Sequence, residues 1–243
     1  MIDDLGADLL AELLPERAIR AYPAILSTEA EAMAWARAGA PEGAVVVAGY
    51  QASPRGRGGK PWQVDQGHSL AFSLILHPTW PIFREGWLYT VATSALSEVI
   101  GPDARIEWPD EIRMGDDLRA ATGVHVEPKE NQLWAVVSSL LCHAPPPRGE
   151  VLARVVEAIE TRYRADTEEV LADYLPRCQT IGRRVRARMV PLGPVGPVFE
   201  GLAVTSLNDG ALVLETAEGR RIAVRPQHLG VLEDMAPVGG STG

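Results

Sequence analysis

The run Pro54-Arg55-Gly56-Arg57-Gly58-Gly59-Lys60-Pro61-Trp62 lies between two apolar stretches, Ala44 to Tyr50 and Ser69 to Leu76, in a chain of formal net charge -9. Arg55, Arg57 and Lys60 crowd a turn whose glycines admit φ > 0 and let backbone N–H groups approach a ligand. Guanidinium forks suit a phosphate or carboxylate, so the loop reads as an anion trap. Trp62 adds an apolar face where the basic run ends, which suits closure over a ligand charged at one end and apolar at the other. A solvated surface turn has the same composition. No Gly-Lys-Ser/Thr closes the run, so it is not a Walker A loop, and it lacks the spacing of a dinucleotide fingerprint.

The flanks give the loop its setting. Ala44 to Tyr50 reads as a buried strand that delivers Gln51 to the mouth of the loop, and Ser69 to His77 as a second strand closed by Pro78. Upstream, Leu5, Leu9, Leu10, Leu13 and Leu14 recur at helical spacing within an amphipathic lead of residues 1–22. Thr28-Glu29-Ala30-Glu31 reads as a capping box with Thr28 as the cap, opening a helix from Glu29 to Ala38 that stops at Gly39. Downstream, Leu88, Ala92, Ala95, Leu96 and Val99 mark a helix within Ile82 to Ile100. Strands are expected at Arg105–Trp108, Ile112–Met114, Thr122–Val126 and Gln132–Leu141, then helices at Gly149–Tyr163 and Thr167–Leu175, the last halted by Pro176. Strands followed by helices indicate an α+β fold with a mainly antiparallel sheet. Beyond Gly182 the stretches Arg183–Val190, Val198–Ser206, Ala211–Glu215 and Arg221–Val224 alternate around turns at Asn208-Asp209-Gly210 and Glu218-Gly219, which predicts a small β-barrel-like module.

Composition narrows the function. At 243 residues, 46% hydrophobic and 23% charged, the chain has the length of one large and one small domain. Its apolar runs are too short to cross a bilayer and its first residues lack a signal-peptide layout, so a soluble cytoplasmic protein is expected. Net acidity argues against a general nucleic-acid surface. Cys142 and Cys178 are too few for a disulfide framework, and His68, His77, His125, His143 and His228 lack zinc-type spacing.

The 54–62 run resembles the ligand loop of biotin protein ligases, Gly-Arg-Gly-Arg-Arg/Gly-Gly-Arg-x-Trp. Arg55, Gly56, Arg57, Gly58, Gly59 and Trp62 fit; Lys60 stands for Arg and Pro54 for the first Gly. Ser27-Thr28, Gln51, the strand after the loop, Glu107-Trp108-Pro109-Asp110-Glu111 for Lys-Trp-Pro-Asn-Asp and Gly123-Val124-His125-Val126-Glu127 follow in the family's order. The resemblance covers about residues 25 to 235 and implies a class II synthetase-like catalytic domain at 1–178, an SH3-like C-terminal domain at 179–236 and a disordered tail at 237–243. It leaves no room for a DNA-reading domain ahead of the ligase-like part. By the same resemblance, ATP with Mg²⁺ activates biotin or a related acid as an acyl-adenylate, which a lysine of a biotinyl- or lipoyl-type carrier domain then attacks.

The implied roles are as follows. Arg55 and Arg57 hold phosphate oxygens, and Arg119, the cation nearest the place of the family's catalytic Lys, substitutes for it only if that loop reshapes. Gly56, Gly58, Gly59 and Lys60 fold over the intermediate and Trp62 caps it; Ser27, Thr28 and Gln51 bind the ureido head; Trp108 and Gly123 line the site; Glu111 takes the metal. The departures share a direction. Glu107 reverses the family's Lys, no Lys precedes Gly123 at the expected distance, and Ser138-Ser139-Leu140-Leu141-Cys142 lacks the family's Gly-Ile-Asn. Each lost donor weakens phosphoryl chemistry by roughly 10²-fold or more. Three readings follow: an active ligase, a relative that only binds biotin, lipoate or a similar acid, and an interaction scaffold. No membrane or nucleic-acid partner is expected, and a homodimer stays open.

Overall fold

The computed structural model describes residues 4–129, 132–193 and 196–235; the expected tail at 237–243 lies outside them. Helix α1 (Ala7–Leu13) opens the described chain and is followed by strand β1 (Ile19–Tyr22), helix α2 (Thr28–Arg37) and strands β2 (Val45–Ala48) and β3 (Leu70–Leu76). Helix α3 (Trp87–Ile100), strands β4 (Arg105–Glu107), β5 (Glu111–Met114), β6 (Asp117–Lys129) and β7 (Gln132–Leu141), and helices α4 (Arg148–Arg164) and α5 (Thr167–Arg177) complete the larger part. Its seven strands run in the order β1-β2-β3-β7-β6-β5-β4. Only β1 and β2 pair in parallel; the others are antiparallel.

Strand alternation sorts the two faces. Val45, Val47, Leu70, Phe72, Leu74 and Leu76 point toward α3 and α4 in the main core. Val46, Ile75 and Val136 point the other way and pack under Ala32 and Ala36 of α2. Helix α3 is buried from Trp87 to Ser97 because it lies between the sheet and α4 and α5. The 54–62 loop leaves β2 on the α2 side, the face on which the sheet also carries Ser73, Ser138 and Gly123.

Several local expectations shift. Ser27, not Thr28, caps α2, its hydroxyl accepting from Ala30 N at 3.3 Å. Glu31, expected to reach back to the cap, instead takes Arg20 at 2.6 Å and the Tyr22 hydroxyl at 2.9 Å. Those partners sit on β1, which the helical spacing of the lead concealed. Pro176 lies inside α5 rather than ending it, within the last turn of a helix that runs to Arg177.

Strands β8 (Arg184–Met189), β9 (Val198–Ser206), β10 (Leu212–Glu215), β11 (Arg221–Val224) and β12 (Leu229–Asp234) form a second, antiparallel sheet in the order β11-β10-β9-β8-β12. Its turns close at Gly210 and Gly219, both at positive φ (79° and 75°), as the Asn-Asp-Gly and Glu-Gly signals require. Strand β12 returns beside β8 and brings the Leu229 carbonyl up to the loop of the larger part. Trp108 anchors the two parts together, its indole N–H donating to Gly210 O at 2.9 Å.

Candidate ligand site

The basic loop is folded on itself. Gly56 N donates to Lys60 O at 2.8 Å, Trp62 N to Pro54 O at 3.0 Å and the Arg55 guanidinium to Gly59 O at 3.0 Å. Gly58 (φ 63°) and Gly59 (φ 75°) make the tight turn that lets the run close, in a region where a side chain is strained. Trp62 lies against Gly56 so closely that a Cβ there would stand 2.6 Å from Trp62 Cε2. Underneath, a Cβ on Gly123 would meet Arg57 N and Gly56 Cα at 3.6 Å, so the loop rests on β6.

Arg57 points inward. It is 8% exposed, with Nε 3.1 Å from Asp110 Oδ1 and Nη1 donating to Leu229 O at 2.7 Å. One guanidinium thus joins the loop, the β4–β5 turn and β12. Burial raises the Asp110 carboxyl pKa, and the Arg57 charge lowers it by less.

Beside Arg57 a cleft of about 680 Å³ opens between Lys60, Trp62 and Asp65 on one wall and Asp110, Glu111 and Leu140 on the other. Lys60 is the cation lining it that makes no ion pair among the described residues. Glu111 is held by Arg113 at 2.7 Å, and the same arginine takes Glu107 at 2.6 Å. The charge-reversing Glu107 is therefore locally neutralised by Arg113, a cation that sequence reasoning passed over. Arg119 is the extra residue of a bulge, where Ile112 pairs Ala120 but Arg113 pairs Leu118, and it does not line the cleft. Asp110 and Glu111 are each committed to an arginine, and no group of three His, Cys, Asp or Glu among the described residues is placed to hold a metal.

At the other end, Gln51, Thr28, Ser73 and Ser138 form a buried polar row. Gln51 Oε1 accepts from Thr28 N at 2.6 Å, Ser73 Oγ donates to Thr28 Oγ1 at 2.9 Å, and Ser73 and Ser138 hydroxyls lie 2.8 Å apart. All four are at most 3% exposed. The Gln51 amide nitrogen donates to no described residue, which leaves a hydrogen-bond donor for a bound head group. Ser138 pairs with Gly123, so the row ends under the loop. Ser27 stands outside it as the helix cap. Trp108, expected to line the site, is 2% exposed and committed to Gly210 O and, through its backbone N, to Thr180 Oγ1 at 2.9 Å. Ser73 and Ser138 were not read as site residues; two serines in otherwise apolar strands were the available signal.

The structure superposes on the Aquifex aeolicus biotin protein ligase solved with biotin and ATP at a TM-score of 0.68, with 20% identity, over 90% of this chain and 99% of that one. In sequence it is 27% identical over 225 residues to the biotin–[acetyl-CoA-carboxylase] ligase of Mycobacterium tuberculosis, covering 82% of this chain and 83% of that protein. It is 26% identical to the bifunctional ligase/repressor BirA of Bacillus subtilis, over 82% of this chain and 69% of that protein. No protein-family model matches the chain. The chain is thus similar in sequence and in fold to biotin protein ligases. No described helix is long and apolar enough to cross a membrane.

Proposed function

We propose that the chain binds biotin or a related small carboxylic acid beneath the 54–62 loop, activates it with ATP and transfers the acyl group to a lysine of a carrier domain. The observation that carries this reading is the inward Arg57, set between a buried hydrogen-bonding row and a cleft with Lys60 on its wall. The row supplies partners for a polar head group, which needs them once buried. Gln51 Nε2 donates to it, and Thr28 and Ser138 present hydroxyls. Trp62 and the Gly56–Gly59 backbone cover the acid. In the activating step the carboxylate oxygen attacks the α-phosphorus and pyrophosphate leaves; Arg57, released from Asp110, and Lys60 stabilise the charge that develops on the phosphoryl oxygens. Closure of the loop keeps water from the mixed anhydride. The lysine, as the neutral amine, then attacks the acyl carbon, AMP leaves, and the proton shed by the nitrogen passes to solvent.

A second reading, acid binding without turnover, is favoured by the position of Arg119 outside the cleft and by the arginine partners of Asp110 and Glu111. Biotin-dependent ATP–pyrophosphate exchange, together with labelling of a biotinyl carrier domain, decides between them. Exchange and labelling establish the ligase. Calorimetric binding of biotin or lipoate without exchange establishes the binding-only relative, and no binding of either acid removes both.

A further inference from the structure

On the side of Arg57 away from the cleft, a cavity of about 270 Å³ opens between the loop, β6 and the turn before β12, with Glu85, Tyr89, His125 and Gln227 among its walls. Its unmatched polar atoms are two acceptors, the Gln227 side-chain carbonyl and the Glu85 carboxylate, and the Tyr89 hydroxyl, which can both donate and accept. Gln227 Oε1 is buried and receives no hydrogen bond. The Glu85 carboxylate makes no hydrogen bond or ion pair among the described residues, and burial raises its pKa. The buried Tyr89 hydroxyl takes Val124 N at 3.3 Å and keeps a second lone pair. The basic side chains facing this space already have partners, Arg57 with Asp110 and the Leu229 carbonyl, and the His125 ring with Glu127 at 2.8 Å. A buried carbonyl left without a donor costs about 1–3 kcal/mol, which a donor-rich ligand offsets.

A neighbouring hollow adds apolar groups. This hollow of about 370 Å³ shares Glu85 and Gln227 with the cavity and is walled by Ile82, Phe83 and Arg225, whose guanidinium is paired with Asp209 at 3.0 Å, with His228 also lining it. The Ile82 and Phe83 side chains are 45% and 56% exposed, and Val190 on the inner cavity is 48% exposed. Acceptors in the cavity and apolar groups in the hollow beside it match a group with an aliphatic stem and a terminal ammonium, which has three donors and no acceptor.

We propose that this cavity is an amine-binding site that takes the ε-ammonium of a protein lysine, with Glu85 as its ion-pair partner and Gln227 Oε1 as a second acceptor. The identification of that lysine with the acyl acceptor rests on the ligase reading; the amine site itself does not. Arg57 and Gly58 border the cavity, so a lysine seated there meets the loop without crossing the cleft assigned to the nucleotide. Free alkylamines share the chemistry.

The test is titration of the ¹⁵N-labelled full chain with Nα-acetyl-lysine methylamide, with no acid or ATP present. Saturable shifts are expected at Val124, the Gln227 side-chain amide and Leu229. Loss of a charge-assisted hydrogen bond in Glu85→Gln should weaken binding about tenfold. Gln227→Glu, which adds a second carboxylate, should tighten it. The norleucine analogue, with the same stem and no amine, should give no saturable shift. Butylammonium binding more weakly than the lysine derivative supports a protein lysine; equal or tighter binding overturns that assignment in favour of free amines. No saturable shift, an equal response to the norleucine analogue, or an unchanged Kd in both variants overturns the site. Biotin binding and pyrophosphate exchange are read separately and need no amine, so either proposal can fail alone.

Discussion

Gln51, Thr28, Ser73 and Ser138 satisfy one another with neutral hydrogen bonds, whereas Arg57, Asp110, Glu107, Glu111 and Arg113 satisfy one another with charge. Both groups lie around one loop, yet they respond differently to a ligand. Neutral partners are exchanged at about 1 kcal/mol each, so the row can turn toward a head group readily. Charged partners cannot be parted without a replacement of the same sign. An incoming phosphate must therefore compete with Asp110 for Arg57, and the charged end sets the threshold for activation while the neutral end sets recognition.

Arg57→Ala tests the charged end with the largest effect. It strands the Asp110 carboxylate, whose side chain is 9% exposed, and should cost about 3–5 kcal/mol in urea unfolding. Adding Asp110→Asn to that variant should recover part of the loss, because the stranded charge is gone. A loss under about 1 kcal/mol would mean the carboxylate reaches water and the contrast fails. Gly56→Ala comes next, at about 1–3 kcal/mol, since Trp62 must move off a position where the new Cβ would meet it at 2.6 Å. Its readout is Trp62 emission, measured against a Trp62→Phe control. Unchanged emission would show that the indole does not rest on Gly56. At the neutral end, Ser73→Ala removes the hydroxyl between Thr28 and Ser138 and should cost only about 1 kcal/mol while weakening acid binding. A cost as large as that of Arg57→Ala would erase the distinction.

What could be read from the chain divides along the same line. Strand β7 was expected at Gln132–Leu141 and lies there, because a long apolar run bounded by polar residues has few alternatives. The loop was legible because glycine and arginine announce their chemistry locally. Its charges were read as displayed to a ligand, yet Arg57 is inward, since its partners Asp110 and Leu229 lie 53 and 172 residues away and only packing brings them near. Trp108 was placed in the site by resemblance, but its indole finds a carbonyl 102 residues on, in the second sheet. Strand β1 was hidden because its four residues are half-buried and its parallel partner lies beyond α2. Glu85 and Gln227 carry no local signal, being unremarkable until the fold leaves the Glu85 carboxylate and the Gln227 Oε1 without partners among the described residues.

The smallest effect compares the Asp110–Arg57 pair with Asp4, which is held by Arg148 through its guanidinium at 2.7 Å and its backbone N at 2.9 Å. Burial acts to raise the Asp4 pKa, but the Arg148 hydrogen bonds and charge outweigh it, and the net shift is downward from 3.8. Asp110, with one guanidinium contact and deeper burial, is shifted upward from the same value. The linkage signs are opposite. The depressed Asp4 contributes stability that is present above its unfolded pKa and lost as pH falls through its folded pKa, below 3.8. The raised Asp110 contributes stability that is full below 3.8 and lost as pH rises through its folded pKa, above that value. Urea midpoints of the wild type, Asp4→Asn and Asp110→Asn between about pH 3 and 7 check this, in a range that spans the ordinary aspartate value. Relative to Asp4→Asn the wild type should weaken toward low pH, and relative to Asp110→Asn it should weaken as pH rises above 3.8. Two differences of the same slope would mean that Arg57 holds Asp110 as firmly as Arg148 holds Asp4, and that a phosphate cannot readily take its place.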